Sequence, residues 1–130
     1  MPKPDPSVLL IEDDESLRHI LAGHLSKHGY LVAEAASAED AERLIDEGAR
    51  PGVVLLDINL PGATGWDLLR GPALGNAGSP PVVVCSALTI NPRRLSEFGV
   101  VGYLPKPFPL ETLMDTLDRV LHPEGAQPKP

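Results

Sequence analysis

Positive charge is in short supply: 11 lysines and arginines face 18 aspartates and glutamates, for a formal net charge of −7. A surface of that sign has nothing to offset phosphate repulsion, which argues against a general nucleic-acid or anionic-membrane binder. It suits a site that collects a divalent cation. Cysteine is down to one residue, Cys85, so no intramolecular disulfide can form. That agrees with a reducing compartment, and a cytoplasmic location is the expectation. No apolar run approaches the ~20 residues of a membrane helix, and Met1-Pro2-Lys3-Pro4-Asp5-Pro6 holds no apolar signal core. There is no internal repeat. At 130 residues and 42% hydrophobic content, the chain has the size and composition of one domain with its own core.

What is present is a series of short apolar runs that end in reactive side chains. Val53-Val54-Leu55-Leu56 stops abruptly at Asp57, before Ile58-Asn59-Leu60-Pro61-Gly62. Such a run reads as a strand buried on both faces, with Asp57 at its C-terminal edge. Taken alone, Asp57 could equally start the Pro61-Gly62 turn. Val8-Leu9-Leu10-Ile11 runs into Glu12-Asp13-Asp14-Glu15, and Val82-Val83-Val84-Cys85 runs into Ser86. Tyr30–Ala33 and Val101–Leu104 read as further strands, the latter followed by Pro105-Lys106-Pro107. Cys85 reads as a small core residue.

Helical patterns fill the gaps. Leu17, Ile20, Leu21 and Leu25 share a face before Gly29; Ser37 to Asp40 resembles a capping box ahead of Ala41, Leu44 and Ile45. Thr64 opens a third helix, cut short by Gly71, Pro72 and Gly75, with Trp66 expected against the loop that follows Asp57. Asn91-Pro92 starts a short fourth helix bearing Leu95 and Phe98, and Leu113, Met114, Leu117, Val120 and Leu121 line a fifth. His24 and His28 stand one helical turn apart, but no third metal ligand is in view. Residues 1–6 read as a disordered tail, 7–121 as the domain, and 122–130 as a Pro-rich tail or linker.

Strands alternating with helices imply a single-domain α/β fold, a five-stranded parallel doubly wound sheet flanked by five helices. Every strand of such a sheet points its C-terminal end at the same edge. That edge gathers Glu12, Asp13, Asp57, Ser86 and Lys106. Two carboxylate charges about 4 Å apart repel by roughly 4 kcal/mol at an effective dielectric near 20, so the acids call for a cation. Carboxylate oxygens suit Mg²⁺ or Mn²⁺, and no His or Cys at ligand spacing invites zinc. One Mg²⁺ and Lys106 bring the formal sum to zero. A cation, a lysine and a hydroxyl are the recurring parts of phosphoryl transfer, with Asp57 as a possible nucleophile.

Ile11-Glu12-Asp13-Asp14, Leu56-Asp57-Ile58-Asn59-Leu60-Pro61-Gly62, Ser86-Ala87 and Tyr103-Leu104-Pro105-Lys106-Pro107-Phe108, in that order, resemble the receiver domain of two-component response regulators. The resemblance runs from about Ser7 to Leu121 and implies a flavodoxin-like, chemotaxis-regulator-like fold. It implies that Asp57 takes a phosphoryl group from a histidine kinase or histidine phosphotransfer protein, with Mg²⁺ as cofactor. Glu12 and Asp13 match the metal-binding pair, completed by Asp57 and the backbone carbonyl of Asn59. Ser86 matches the hydroxyl that shifts to the phosphoryl group, Lys106 the lysine that pairs with it, and Lys106–Pro107 the family's cis peptide. Tyr103 matches an aromatic switch residue, although a half-buried strand tyrosine accounts for it equally well.

The pair is Glu12-Asp13 where many relatives have two aspartates, so Glu12 is expected to reach the metal through water. Twenty positions separate Ser86 from Lys106, about two fewer than the family pattern, so the fourth helix is expected to be short or displaced. Implied partners are a downstream effector or a fused output domain, with homodimerisation possible. Such a domain is a switch, not an enzyme: its chemistry is limited to self-phosphotransfer and slow self-dephosphorylation. Rival readings are a degenerate receiver that works without phosphorylation and an aspartyl-phosphate phosphatase. The phosphatase would want an acid where Asn59 stands. A flavin-binding protein would want a Ser/Thr/Gly phosphate loop where four acids follow the first strand.

Overall fold

The structure is a computed structural model describing residues 5–123; the tail expectations for residues 1–4 and 124–130 lie outside the described residues. Ten elements alternate: β1 (Val8–Ile11), α1 (Glu15–Lys27), β2 (Val32–Ala35), α2 (Ala38–Asp46), β3 (Val53–Asp57), α3 (Gly65–Arg70), β4 (Val82–Ser86), α4 (Pro92–Glu97), β5 (Gly102–Pro105) and α5 (Leu110–Leu121). The strands form one parallel sheet in the order β2-β1-β3-β4-β5. The order reverses direction between β1 and β3, where crevices open at the carboxyl ends of such sheets.

Alternation along each strand divides the core in two. Leu9, Ile11, Val54, Leu56, Val82 and Val84 pack with Ala38, Ala41, Leu68, Leu69 and Leu95 of α2, α3 and α4. Val8, Leu10, Val53, Leu55, Val83 and Cys85 pack with Leu21, Leu25, Leu113 and Leu117 of α1 and α5. The three central strands are therefore apolar at nearly every position because both faces are covered.

Capping fixes where the helices begin. Asp14 accepts from the Leu17 amide at 3.0 Å, Ser37 from Asp40 at 3.1 Å, and Asn91 from Arg93 at 2.9 Å ahead of Pro92. Thr64 and Asp67 form a reciprocal capping box on α3. At α2 the return bond differs from that pattern: the Asp40 carboxylate accepts from Ala36, not from Ser37. α4 is a single six-residue helix, in keeping with its proline start and Gly99 at φ 68°.

Three expectations shift. The edge strands β2 and β5 start two residues and one residue later than their apolar runs, at Val32 and Gly102. Ile20 is 56% exposed, and the small Ala22 takes the buried place beside Leu21. Trp66 turns to Phe98 at the end of α4, with ring centroids 5.3 Å apart.

Candidate functional site

The strand ends converge as the topology requires. Asp57 is the last residue of β3 and Ser86 the last of β4; Glu12 follows β1 and Lys106 follows β5. Register places Ile11 beside Leu56, Asp57 beside Cys85 and Ser86 beside Pro105, so all four chemistry-bearing residues sit within one step of a common level. Glu12 is 2% exposed, Asp57 4% and Ser86 1%. Asp13, one residue beyond Glu12, is exposed on the loop, while Asp14 is spent on the helix cap.

Lys106 joins the two buried acids. Its Nζ donates to Glu12 Oε1 at 2.6 Å and to Asp57 Oδ2 at 3.1 Å. Pro105 and Pro107 flank it, its amide donates to the Ser86 carbonyl at 2.8 Å, and the Lys106–Pro107 bond is cis. The other Asp57 oxygen, Oδ1, accepts the Asn59 amide at 3.0 Å. Glu12 Oε2 accepts the Asp14 amide at 3.3 Å, and the Glu12 carbonyl accepts from Arg18 Nη1 at 3.0 Å.

Burial pushes the Glu12 carboxyl up to about 7; the Lys106 hydrogen bond opposes this and the Asp57 charge adds to it. Lys106 moves up from the ordinary lysine value. Burial alone would lower it, but the hydrogen bond to Glu12 and the charge of Asp57 outweigh that effect. With two buried carboxylates sharing one ammonium, Lys106 stays charged.

Glu12, Asp13 and Asp57 each present a carboxylate oxygen within 4.8 Å of the others, the one such group of three acids, histidines or cysteines found among the described residues. An all-oxygen set with a formal −3 fits a hard divalent cation better than any softer metal. His24 and His28 build no comparable site, and His28 Nε2 faces Asp118 Oδ2 at 3.3 Å.

The hydroxyl side of the site carries two features that the sequence did not announce. Ser86 Oγ accepts the Asn59 side-chain amide at 2.9 Å and the Leu88 amide at 3.0 Å. Tyr103 donates its hydroxyl to the Leu88 carbonyl at 3.1 Å. Leu88 thus ties Ser86 to Tyr103 through its own backbone, a link that no residue type encodes. Arg18 on α1 was likewise unread; only its position one turn into the helix behind the acids hinted at it.

Residues 8–118 match the model of the response regulator receiver domain family. The uncharacterized transcriptional regulatory protein YvcP of Bacillus subtilis is 38% identical over 116 residues, 88% of this chain and 48% of that protein. The chain spans about half the length, or less, of the curated relatives it matches. Among solved structures, the chemotaxis protein CheY4 of Vibrio cholerae aligns with a TM-score of 0.79 at 30% identity, covering 91% of this chain and 100% of that one. The non-phosphorylated HemR receiver domain of Leptospira biflexa aligns with a TM-score of 0.78 at 32% identity, covering 98% and 100%.

Proposed function

The chain belongs to the response regulator receiver domain family of two-component signalling, and from that premise we propose that Asp57 accepts a phosphoryl group from a phosphohistidine of a sensor kinase or phosphotransfer protein. The observation that carries this reading is the placement of Asp57. It is a buried carboxylate at the β3 end, 3.1 Å from the Lys106 ammonium and clustered with the acids Glu12 and Asp13.

A carboxylate oxygen of Asp57 attacks phosphorus; the P–O bond forms as the P–N bond breaks, and the donor ring, already protonated on its other nitrogen, leaves as neutral imidazole. Glu12, Asp13, Asp57 and the Asn59 carbonyl would hold a Mg²⁺ ion, which would supply positive charge against the phosphoryl oxygens. Lys106, already cationic, pairs with a phosphoryl oxygen. The product carries roughly one more negative charge than Asp57 did. Ser86 responds to that charge. Its oxygen already accepts two N–H groups, which leaves its own proton to donate to the phosphoryl group. Turning towards Asp57 takes the acceptor away from the Leu88 amide and loosens the segment that Tyr103 holds.

The output is a changed protein surface, read by an effector or an attached output domain in the cytoplasm. Chemistry ends with self-phosphotransfer and slow hydrolysis of the acyl phosphate. The test is acetyl phosphate with Mg²⁺, followed by intact mass. The parent is expected to gain one phosphoryl group and Asp57→Asn none; equal labelling of the two, or no labelling of the parent, defeats the reading.

A further inference from the structure

Two guanidinium groups and two aromatic rings stack between α3 and α4, away from the phosphoryl site. Arg94 Cζ lies 4.2 Å from the Trp66 ring centre. Trp66 meets Phe98 at 5.3 Å with their planes 39° apart, and Arg70 Cζ lies 5.4 Å from the Phe98 ring centre. Read along the stack, Arg94, Trp66, Phe98 and Arg70 come alternately from the α4 side and from α3, like the teeth of a zip.

The two helices are unequal partners. α3 is fixed: Leu68 and Leu69 are buried, its capping box is complete, and Gly65 sits against Ile58. α4 is six residues long, too short to stand alone, and buries only Leu95. The segment leading into it is held at Leu88, between Ser86 and Tyr103, three residues before the Asn91 cap. When Ser86 turns towards a phosphorylated Asp57, the Leu88 amide loses its acceptor. What still ties α4 to the core then includes Leu95, its flanking residues Ile90 and Val100, and the stack.

We propose that the Arg94–Trp66–Phe98–Arg70 stack is a latch that keeps α4 in its resting position, so that its strength sets how tightly the site holds a phosphoryl group. This rests on the phosphoacceptor reading above. Coupling is reciprocal: whatever opposes the movement of α4 also opposes phosphoryl binding, by the same factor. A cation–π contact with an exposed arginine changes an equilibrium constant by about two- to fivefold.

The experiment measures beryllofluoride affinity, with Mg²⁺, by calorimetry on the full chain. Arg94→Gln is expected to bind about two- to fivefold more tightly than the parent. Its resting Trp66 emission, from the one tryptophan in the chain, is expected to change as well. Phe98→Leu, which removes the inner ring and keeps apolar bulk, is expected to tighten binding too. Arg93→Gln removes the same charge from the same helix outside the stack and is expected to match the parent. The latch is overturned if Arg94→Gln and Phe98→Leu bind as the parent does or more weakly, or if Arg93→Gln tightens binding equally. A parent that binds no beryllofluoride and takes no phosphoryl group from acetyl phosphate defeats the phosphoacceptor reading itself; normal parent binding with unaltered variants defeats the latch alone.

Discussion

The carboxylate of Glu12 and the ammonium of Lys106, 94 positions apart in the chain, meet at 2.6 Å. The contact spans the sheet edge from the end of β1 to the end of β5 and brackets Asp57. It also sets up a competition, because the acid that holds Lys106 is one of those that would face a divalent cation.

Protons and Mg²⁺ are therefore expected to compete at Glu12. Its pKa is raised from 4.5 to about 7 by burial, so below pH 7 the cation must displace a proton. Apparent Mg²⁺ affinity, measured by calorimetry, is expected to rise by about tenfold per pH unit from 5.5 to 7 and to level off above; Glu12→Gln flattens the profile. For stability the sign runs the same way. A raised carboxyl pKa contributes stability below 4.5 that is lost as pH rises through 7. In EDTA the protein is expected to be up to about 3 kcal/mol less stable at pH 8 than at pH 4.5, and Mg²⁺ reverses the loss. Urea midpoints that rise across this window without metal would refute it.

Glu12, Asp57, Ser86 and Lys106 were legible because a parallel sheet sends every strand end to one edge, and the three central strands announce themselves as unbroken apolar runs. The edge strands were blurred because one side of each lacks a partner strand, so burial no longer demands uniform apolarity: Glu34 sits inside β2, and the apolar Leu31 and Val101 lie just outside β2 and β5 and are exposed. Ile20 was misread because its spacing fits the buried stripe as well as Ala22 does, and only the packed neighbours distinguish them. The Leu88 link was invisible for a deeper reason. Both its bonds use main-chain atoms, which are the same in every residue.

Two glycines are expected to respond to alanine with opposite signs. A Cβ at Gly65 would lie 2.7 Å from Ile58 Cα and 3.1 Å from the Asp57 carbonyl, so the backbone carrying Asp57 must shift. Gly65→Ala is expected to lose about 1–3 kcal/mol in urea unfolding. At Gly23, exposed within α1, a Cβ meets nothing within 4 Å, and Gly23→Ala is expected to gain about 0.5–1 kcal/mol from helix propensity. Equal effects at the two sites would contradict the packing described for α3.

Cys85 lies on the α1/α5 face of β4, and burial pushes its thiol up to about 12. The reactive thiolate is therefore almost absent from the native protein near neutral pH. Disulfide-exchange reagents are expected to leave the folded chain untouched at pH 8 and to modify it fully in guanidinium. The raised pKa contributes stability that is present below the ordinary thiol value of 9.0 and lost as pH climbs through about 12, so alkaline unfolding is expected to expose the thiol. Rapid labelling of the folded protein at pH 8 would show that β4 is not covered as described.

Ser86→Ala separates the chemistry from its readout. The hydroxyl is not the nucleophile, so acetyl phosphate is expected still to label Asp57, as intact mass would show. The alanine cannot donate to the phosphoryl group, and it leaves the Asn59 side-chain amide and the Leu88 amide without their acceptor. Removing that shared acceptor is expected to cost about 1–3 kcal/mol in unfolding experiments. Exchange at the Leu88 amide is expected to be fast whether or not Asp57 is phosphorylated, whereas in the parent it speeds up only on phosphorylation. If the Leu88 amide of labelled Ser86→Ala were as protected as in the resting parent, the hydroxyl would have no part in holding that loop, and the route from Asp57 to Tyr103 would have to run elsewhere.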